Sequence, residues 1–101
     1  ERSVYNKRKR ALFSYIEKIR ICLSGKFSDF TNVFVVDSTP IQICKTSRAG
    51  RSGICSSEHI KPAFGYCAAQ KTKYFGYKLH AVCDKNGIFH SFDFTPANVH
   101  D

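Results

Sequence analysis

Two aspartates carry the sharpest chemical signal in this 101-residue chain. Asp37 closes the apolar run Val33-Phe34-Val35-Val36, and Asp101 lies just past a second strand region, after Pro96, Asn98 and His100. An acid at the end of a buried strand is costly unless a charge offsets it. A metal ion is one such partner and a nearby Lys or Arg is another. Taken singly, each Asp also reads as a cap or an ion-pair member.

The charge around these acids is uneven. The net charge is +8. Residues 1–26 hold eight basic and two acidic residues, and residues 45–73 hold six basic residues and Glu58, which leaves −3 for the rest. Basic flanks around an acidic centre suit a protein that grips phosphates and places metal ions among them. Solvated surface lysines are the plain alternative. Lys45, Arg48, Arg51, Lys61, Lys71 and Lys73 are the loop candidates for phosphate contact. Lys78 and His80 share a strand face and are candidates for a place near the acidic site, contacting a phosphate or orienting a carboxylate; a structural role for His80 is the competing reading. Tyr66 and Tyr74 have the chemistry to stack on an unpaired base, against core or rim packing.

The elements that must position these residues are legible in part. Residues 4–24 read as a helix with Leu12, Phe13, Ile16, Ile19 and Leu23 on one stripe, and Gly25 fits its C-terminal stop. Lys7 to Arg10 fall in its first turns, where the helix dipole disfavours cations. VFVVD reads as a central strand covered on both faces, with Pro40 interrupting or ending its pairing. Residues 45–73 read as a long loop with one turn of helix, and loops of that length are usually functional or mobile. Residues 74–95 are a hairpin. Phe75, Tyr77, Leu79, Ala81 and Cys83 alternate with Gly76, Lys78, His80 and Val82. Asn86-Gly87 predicts a type I′ turn, and Ile88, His90, Phe92 and Phe94 return on one face, opposite Phe89, Ser91 and Asp93.

The composition, 43% hydrophobic with nine Phe and five Tyr, suits a packed domain rather than disorder. No apolar run approaches the roughly 18 residues of a membrane span, and ERSVYNKRKR lacks the apolar core of a signal peptide. A soluble, intracellular protein without a membrane partner is expected. The five cysteines, Cys22, Cys44, Cys55, Cys67 and Cys83, show no CxxC spacing. Reduced, mostly buried thiols are one reading, and a metal site of Cys44, Cys55, His59 and Cys67 is another. The absence of methionine and the abrupt end at Asp101 lead to the expectation that the chain is a piece of a longer protein.

The order VVDSTPIQIC…GYCAAQKTKYFGYKLHAVCDKNGIFHSFDFTPANVHD closely resembles insertion-sequence transposases of the DDE type. The resemblance covers residues 33–101 and extends back to YNKRKRAL at 5–12. It implies an α/β fold with a partial, mixed ribonuclease-H-like sheet preceded by a basic amphipathic helix. The expected organisation is a basic helical segment at 1–28 and the first part of the catalytic domain at 33–101. By the same resemblance, Asp37 is the first catalytic and metal-binding acid, at the end of the first strand. Asp101 is the second, after the fourth strand, and the third acid lies on a later helix beyond this chain. The hairpin would supply the second and third strands. The implied cofactor is Mg2+ or Mn2+, held by carboxylate oxygens. The implied partners are DNA ends and target DNA, with a possible homodimer in the parent enzyme and a cytoplasmic, nucleoid-associated place in a bacterium. The reaction would be DNA cleavage and joining by two-metal phosphoryl transfer. Without the third acid the 101 residues alone are expected to be inactive, and Val33–Val36 to be uncovered. A non-catalytic DNA-binding remnant and a nuclease that only hydrolyses are the alternatives.

Overall fold

The computed structural model describes residues 1–27 and 33–100. Two helices come first, α1 (Arg2–Ala11) and α2 (Phe13–Phe27). The single helix expected over 4–24 is therefore two segments that meet at Leu12, which has φ −96° and ψ 4°. One helix ends and the next begins at Leu12: its N–H donates to the Arg8 carbonyl and its own carbonyl accepts the Ile16 N–H, both at 3.0 Å. The break changes the electrostatics of the basic cluster. Arg8, Lys9 and Arg10 occupy the last turn of α1, where the dipole favours cations rather than opposing them. Gly25 does not stop α2, which runs two residues further.

Four strands follow: β1 (Phe34–Cys44), β2 (Ala63–Cys67), β3 (Thr72–Asp84) and β4 (Phe89–Pro96), with a 3-10 turn at Thr46–Arg51 between β1 and β2. Together they make an α/β architecture consistent with a partial ribonuclease-H-like fold. β3 is the spine. Along one edge it pairs with β1, from Phe34↔Asp84 to Cys44↔Phe75. Along the other it pairs first with β2, through Ala63↔Gly76, and then with β4, from Tyr77↔Pro96. β2 and β4 thus lie end to end in one lane, and all three pairings are antiparallel. The segment read as a 45–73 loop contains both the 3-10 turn and β2, a strand that exists because β3 offers it an edge.

Two glycines allow this crowding. A Cβ on Gly76 would stand 2.0 Å from the Ile41 carbonyl oxygen, and one on Gly65 would stand 2.4 Å from the Ala97 carbonyl oxygen. Both contacts are with backbone, so no side chain can swing away to relieve them.

β1 departs from the central, doubly covered strand expected of VFVVD. It runs on past Asp37 to Cys44, with Pro40 in register opposite Lys78. Among the described residues it pairs only with β3, and an edge strand tolerates a proline because one side needs no donor. Its first apolar residues, Phe34, Val35 and Val36, stand open, Val36 being 70% exposed, whereas Ile41 and Ile43 are half-buried. The buried apolar residues among those described are Ala49, Tyr74 and Ala97.

The hairpin is present, but its turn is not type I′. Of its two central residues, only Gly87 has positive φ, at 82°. The Gly87 N–H donates to the Asp84 carbonyl at 3.0 Å, and the Asp84 N–H to the Ile88 carbonyl at 3.0 Å. That is a three-residue loop closed by a glycine in the left-handed region. The register then shifts between Val82 and Cys83, so that Ser91 faces Val82 and Phe89 faces Cys83. A bulge of this kind moves His90 off the face of Phe92 and brings Phe89 onto it. His90 instead meets Phe34 edge-on, with ring centroids 5.0 Å apart.

Candidate active site and nucleic-acid interface

Residues directly opposite in an antiparallel pair share a face, so the register sorts the site residues. Asp37 lies opposite Ala81, which lies opposite Phe92. Asp37 is therefore on the face that carries Leu79, Phe92 and Phe94. Helix α2 docks on this same face. Arg20 donates from Nη1 to the carbonyls of Phe89 at 3.3 Å and His90 at 3.4 Å, and its guanidinium lies 5.1 Å from the Phe92 ring centre. Leu23 and Phe27 join Leu79, Ile88, Phe89, Phe92 and Phe94 around a hollow of about 520 Å³.

The Asp37 carboxylate is exposed. Its Oδ1 accepts the neighbouring Ser38 N–H at 2.8 Å. The single ion pair among the described residues is Arg20 with Glu17, so Asp37 has no cationic partner there. No Lys or Arg among the described residues lies within ion-pairing distance of Asp37, so its carboxylate is not neutralised there. Asp101 lies outside the described residues, and so does its relation to Asp37. Among the described residues no three His, Cys, Asp or Glu side chains form a metal-holding group. The alternative site of Cys44, Cys55, His59 and Cys67 is therefore not assembled. All five cysteines are free thiols, with Cys22 exposed and the other four half-buried rather than buried.

Lys78 and His80 do share a face, and it is the one opposite Asp37. They pair with Pro40 and Ser38 on β1 and with Thr95 and Asp93 on β4. Lys78 donates from Nζ to the Val99 carbonyl at 2.7 Å, which ties the exit segment after β4 to the sheet. His80 Nε2 is 2.8 Å from the Thr95 hydroxyl oxygen. Lys78 and His80 are thus separated from Asp37 by the thickness of the sheet.

The basic residues of 45–73 fall into two groups. Lys45, Arg48 and Arg51 are exposed on and beside the 3-10 turn, which the buried Ala49 holds against the protein. The loop that follows is fastened where Tyr77 Oη donates to the Ile60 carbonyl at 2.8 Å. Burial, and then a hydrogen bond with Cys55, hold the Tyr77 hydroxyl above its ordinary pKa, so it remains a protonated donor. Lys71 and Lys73 belong to the β2–β3 hairpin, Lys61 lies just before β2, and all three are exposed. The two tyrosines considered for stacking part company: Tyr74 is 5% exposed and belongs to the core, whereas Tyr66 is 58% exposed. Phe64, missed in the sequence because β2 was missed, is 56% exposed two residues away. The alternation Phe64-Gly65-Tyr66 was the available signal.

A chain with an aspartate on the first strand of such a sheet, followed by antiparallel strands, is of the class that the motif order implied. Residues 28–101 match the transposase DDE domain family, and the chain belongs to that family. Comparison with curated proteins and with solved structures gives no match. No described helix is long and apolar enough to cross a membrane.

Proposed function

We propose that this chain provides Asp37 and Asp101 as the first two metal-binding acids of a DNA transposase that cuts and joins DNA strands. The observation that carries the reading is the state of Asp37: exposed, on β1, and without a cationic partner among the described residues. An aspartate kept for stability would be paired or would cap a helix. Hard carboxylate oxygens match Mg2+ or Mn2+. When bound, such an ion supplies Lewis-acid activation of the attacking oxygen and offsets charge on the leaving one. The chain's own part is to fix Asp37 through the β1–β3 ladder and to keep neutral Ala81 beside it. The basic residues Lys45, Arg48, Arg51, Lys61, Lys71 and Lys73, with Lys78 and His80 on the far face, would hold and orient the phosphate backbone. The bound partners would be element ends and target DNA. A homodimer of the parent enzyme and a cytoplasmic, nucleoid-associated location in a bacterium belong to the same reading.

The test is the Asp37→Asn variant of the enzyme that carries this chain, assayed with Mg2+ or Mn2+ on DNA bearing the element ends. The substitution keeps the side-chain shape and removes the ligand charge. Cleavage and strand joining should be lost while DNA binding in the absence of metal stays within about twofold, the scale of a surface change. Normal cleavage by the variant would remove Asp37 from the site. DNA binding without metal-dependent cleavage in the unmodified enzyme would identify a non-catalytic remnant instead, and cleavage without joining a nuclease.

A further inference from the structure

We propose that one face of the β2–β3 hairpin is a stacking platform for single-stranded DNA, with Phe64 and Tyr66 as the base-contacting rings. This deepens the proposed function and rests on it, since it presumes a DNA substrate. β2 pairs Phe64 with Phe75 and Tyr66 with Lys73, so all four side chains share one face of the sheet. Phe64 and Tyr66 are each more than half exposed, although rings of this size normally supply core burial. Phe64 is steadied from the side by Phe75 across the strand pair, with ring centroids 4.9 Å apart and planes at 53°.

Two aromatic residues at alternate strand positions stand about 6.7 Å apart. An extended polynucleotide can lay successive bases on rings so spaced. Aromatic side chains on a sheet surface, with basic side chains tracking the backbone, are a general solution for holding unpaired bases. The charge agrees. Residues 61–73 contain Lys61, Lys71 and Lys73 and no acid. Lys71 sits at the hairpin turn with φ 51°, its N–H bonded to the Ala68 carbonyl at 3.3 Å. An adjoining hollow of about 680 Å³ is lined by Phe64, Tyr66, Lys73, Lys78 and His100 among others, and no described acid lines it. Duplex DNA would present only phosphates to such a surface, because its bases are stacked on one another; unpaired bases would use the rings as well.

The experiment measures the anisotropy of a labelled single-stranded oligonucleotide, and of the same sequence as a blunt duplex, titrated with the whole chain in EDTA. Leaving out divalent ions separates this surface from Asp37. The variants are Tyr66→Ala, Phe64→Ala, Tyr66→Phe and Lys73→Gln, each checked by a thermal melt. Loss of one stacked base is expected to weaken single-strand binding about tenfold in each alanine variant, with duplex binding unchanged. Tyr66→Phe keeps the ring and should bind as the parent does, and Lys73→Gln should lower the salt dependence. Equal losses on single strand and duplex, or no loss on either, would overturn the platform. Binding of duplex but not single strand would overturn it while leaving the proposed function standing. Binding of neither would count against both.

Discussion

Asp37 on β1 and Ala81 on β3 stand directly opposite one another, so the nearest cross-strand neighbour of the carboxylate is a methyl group. A lysine at that position would reach the carboxylate and supply the charge it lacks. The Ala81→Lys variant is therefore expected to compete with a divalent ion without removing any oxygen ligand. Mn2+ affinity, read by calorimetry or electron paramagnetic resonance, should fall about tenfold or more, a change of about 1.4 kcal/mol. Unchanged Mn2+ binding in Ala81→Lys and in Asp37→Asn would show that Asp37 holds no metal.

The glycines at the strand junction make a prediction about stability. Gly65→Ala and Gly76→Ala each drive a methyl into a backbone carbonyl, at 2.4 Å from Ala97 and 2.0 Å from Ile41. The strands must move apart, which costs about 1–3 kcal/mol or more. At Gly87 the surroundings are open, but φ is 82°, so the Gly87→Ala cost should be nearer 1 kcal/mol. Chemical denaturation should rank Gly65→Ala and Gly76→Ala well below Gly87→Ala.

The ranking also marks what a sequence shows and what it hides. The hairpin of β3 and β4 was legible because strict alternation and a local turn signal agree within 22 residues. The turn type was not, because Asn86-Gly87 suits more than one loop length; Asp84 selects the longer loop by binding two of its N–H groups. The bulge at His90 follows from that choice, and with it the wrong face for Phe89 and His90. β2 was hidden for another reason. Five residues interrupted by Gly65 make a weak strand alone, and its pairing energy comes from β3, which no local pattern reveals. VFVVD looked central because the sequence shows hydrophobicity but not what covers it. Asp37 was legible as an acid in an apolar context, whereas the placement of Lys78 and His80 on the opposite face came only from the β1–β3 register.

Asp84 is the most buried acid described, at 2% exposure. Its Oδ1 accepts the N–H groups of Asn86 at 2.8 Å and Ile88 at 2.9 Å, while Oδ2 has no partner among the described residues. Removing the acceptor strands two turn donors, so Asp84→Ala should cost about 2–3 kcal/mol. Asp84→Asn keeps one oxygen for both donors and removes a buried charge, so its cost should stay below about 1 kcal/mol. Equal losses in the two variants, measured by urea denaturation, would show that the charge rather than the acceptor matters.

The docking of α2 carries a pH signature. The hydrogen bond from Arg20 holds the Glu17 carboxyl below its ordinary pKa. A depressed folded-state pKa means that the contribution is present above the unfolded value and is lost as pH falls through the folded one. Arg20 also binds the Phe89 and His90 carbonyls, so protonating Glu17 should loosen the helix locally rather than unfold the sheet. Hydrogen exchange in α2 should accelerate below pH 4.5 relative to β3, and Glu17→Gln should already show the faster rate at neutral pH. A variant whose α2 exchange matches the parent at both pH values would rule out this anchor.

The 3-10 turn offers the cleanest test of phosphate contact away from the acids. Ala49 is buried and holds the turn in place, while Arg48 and Arg51 on either side of it are exposed. Neither forms an ion pair among the described residues, so replacing them disturbs little of the fold, within about 0.5 kcal/mol. Each phosphate neutralised by a cation releases counterions and steepens the fall of affinity with salt, by about 0.9 in log–log slope on duplex DNA. The double variant Arg48→Ala/Arg51→Ala should therefore keep its melting temperature and lose up to about 2 from that slope. Its duplex affinity should converge on that of the parent as salt rises, because the lost interaction is the one salt screens. An unchanged slope with an unchanged melt would mean that this turn does not touch phosphate, and the DNA path would then have to run along the lysines of the β2–β3 hairpin.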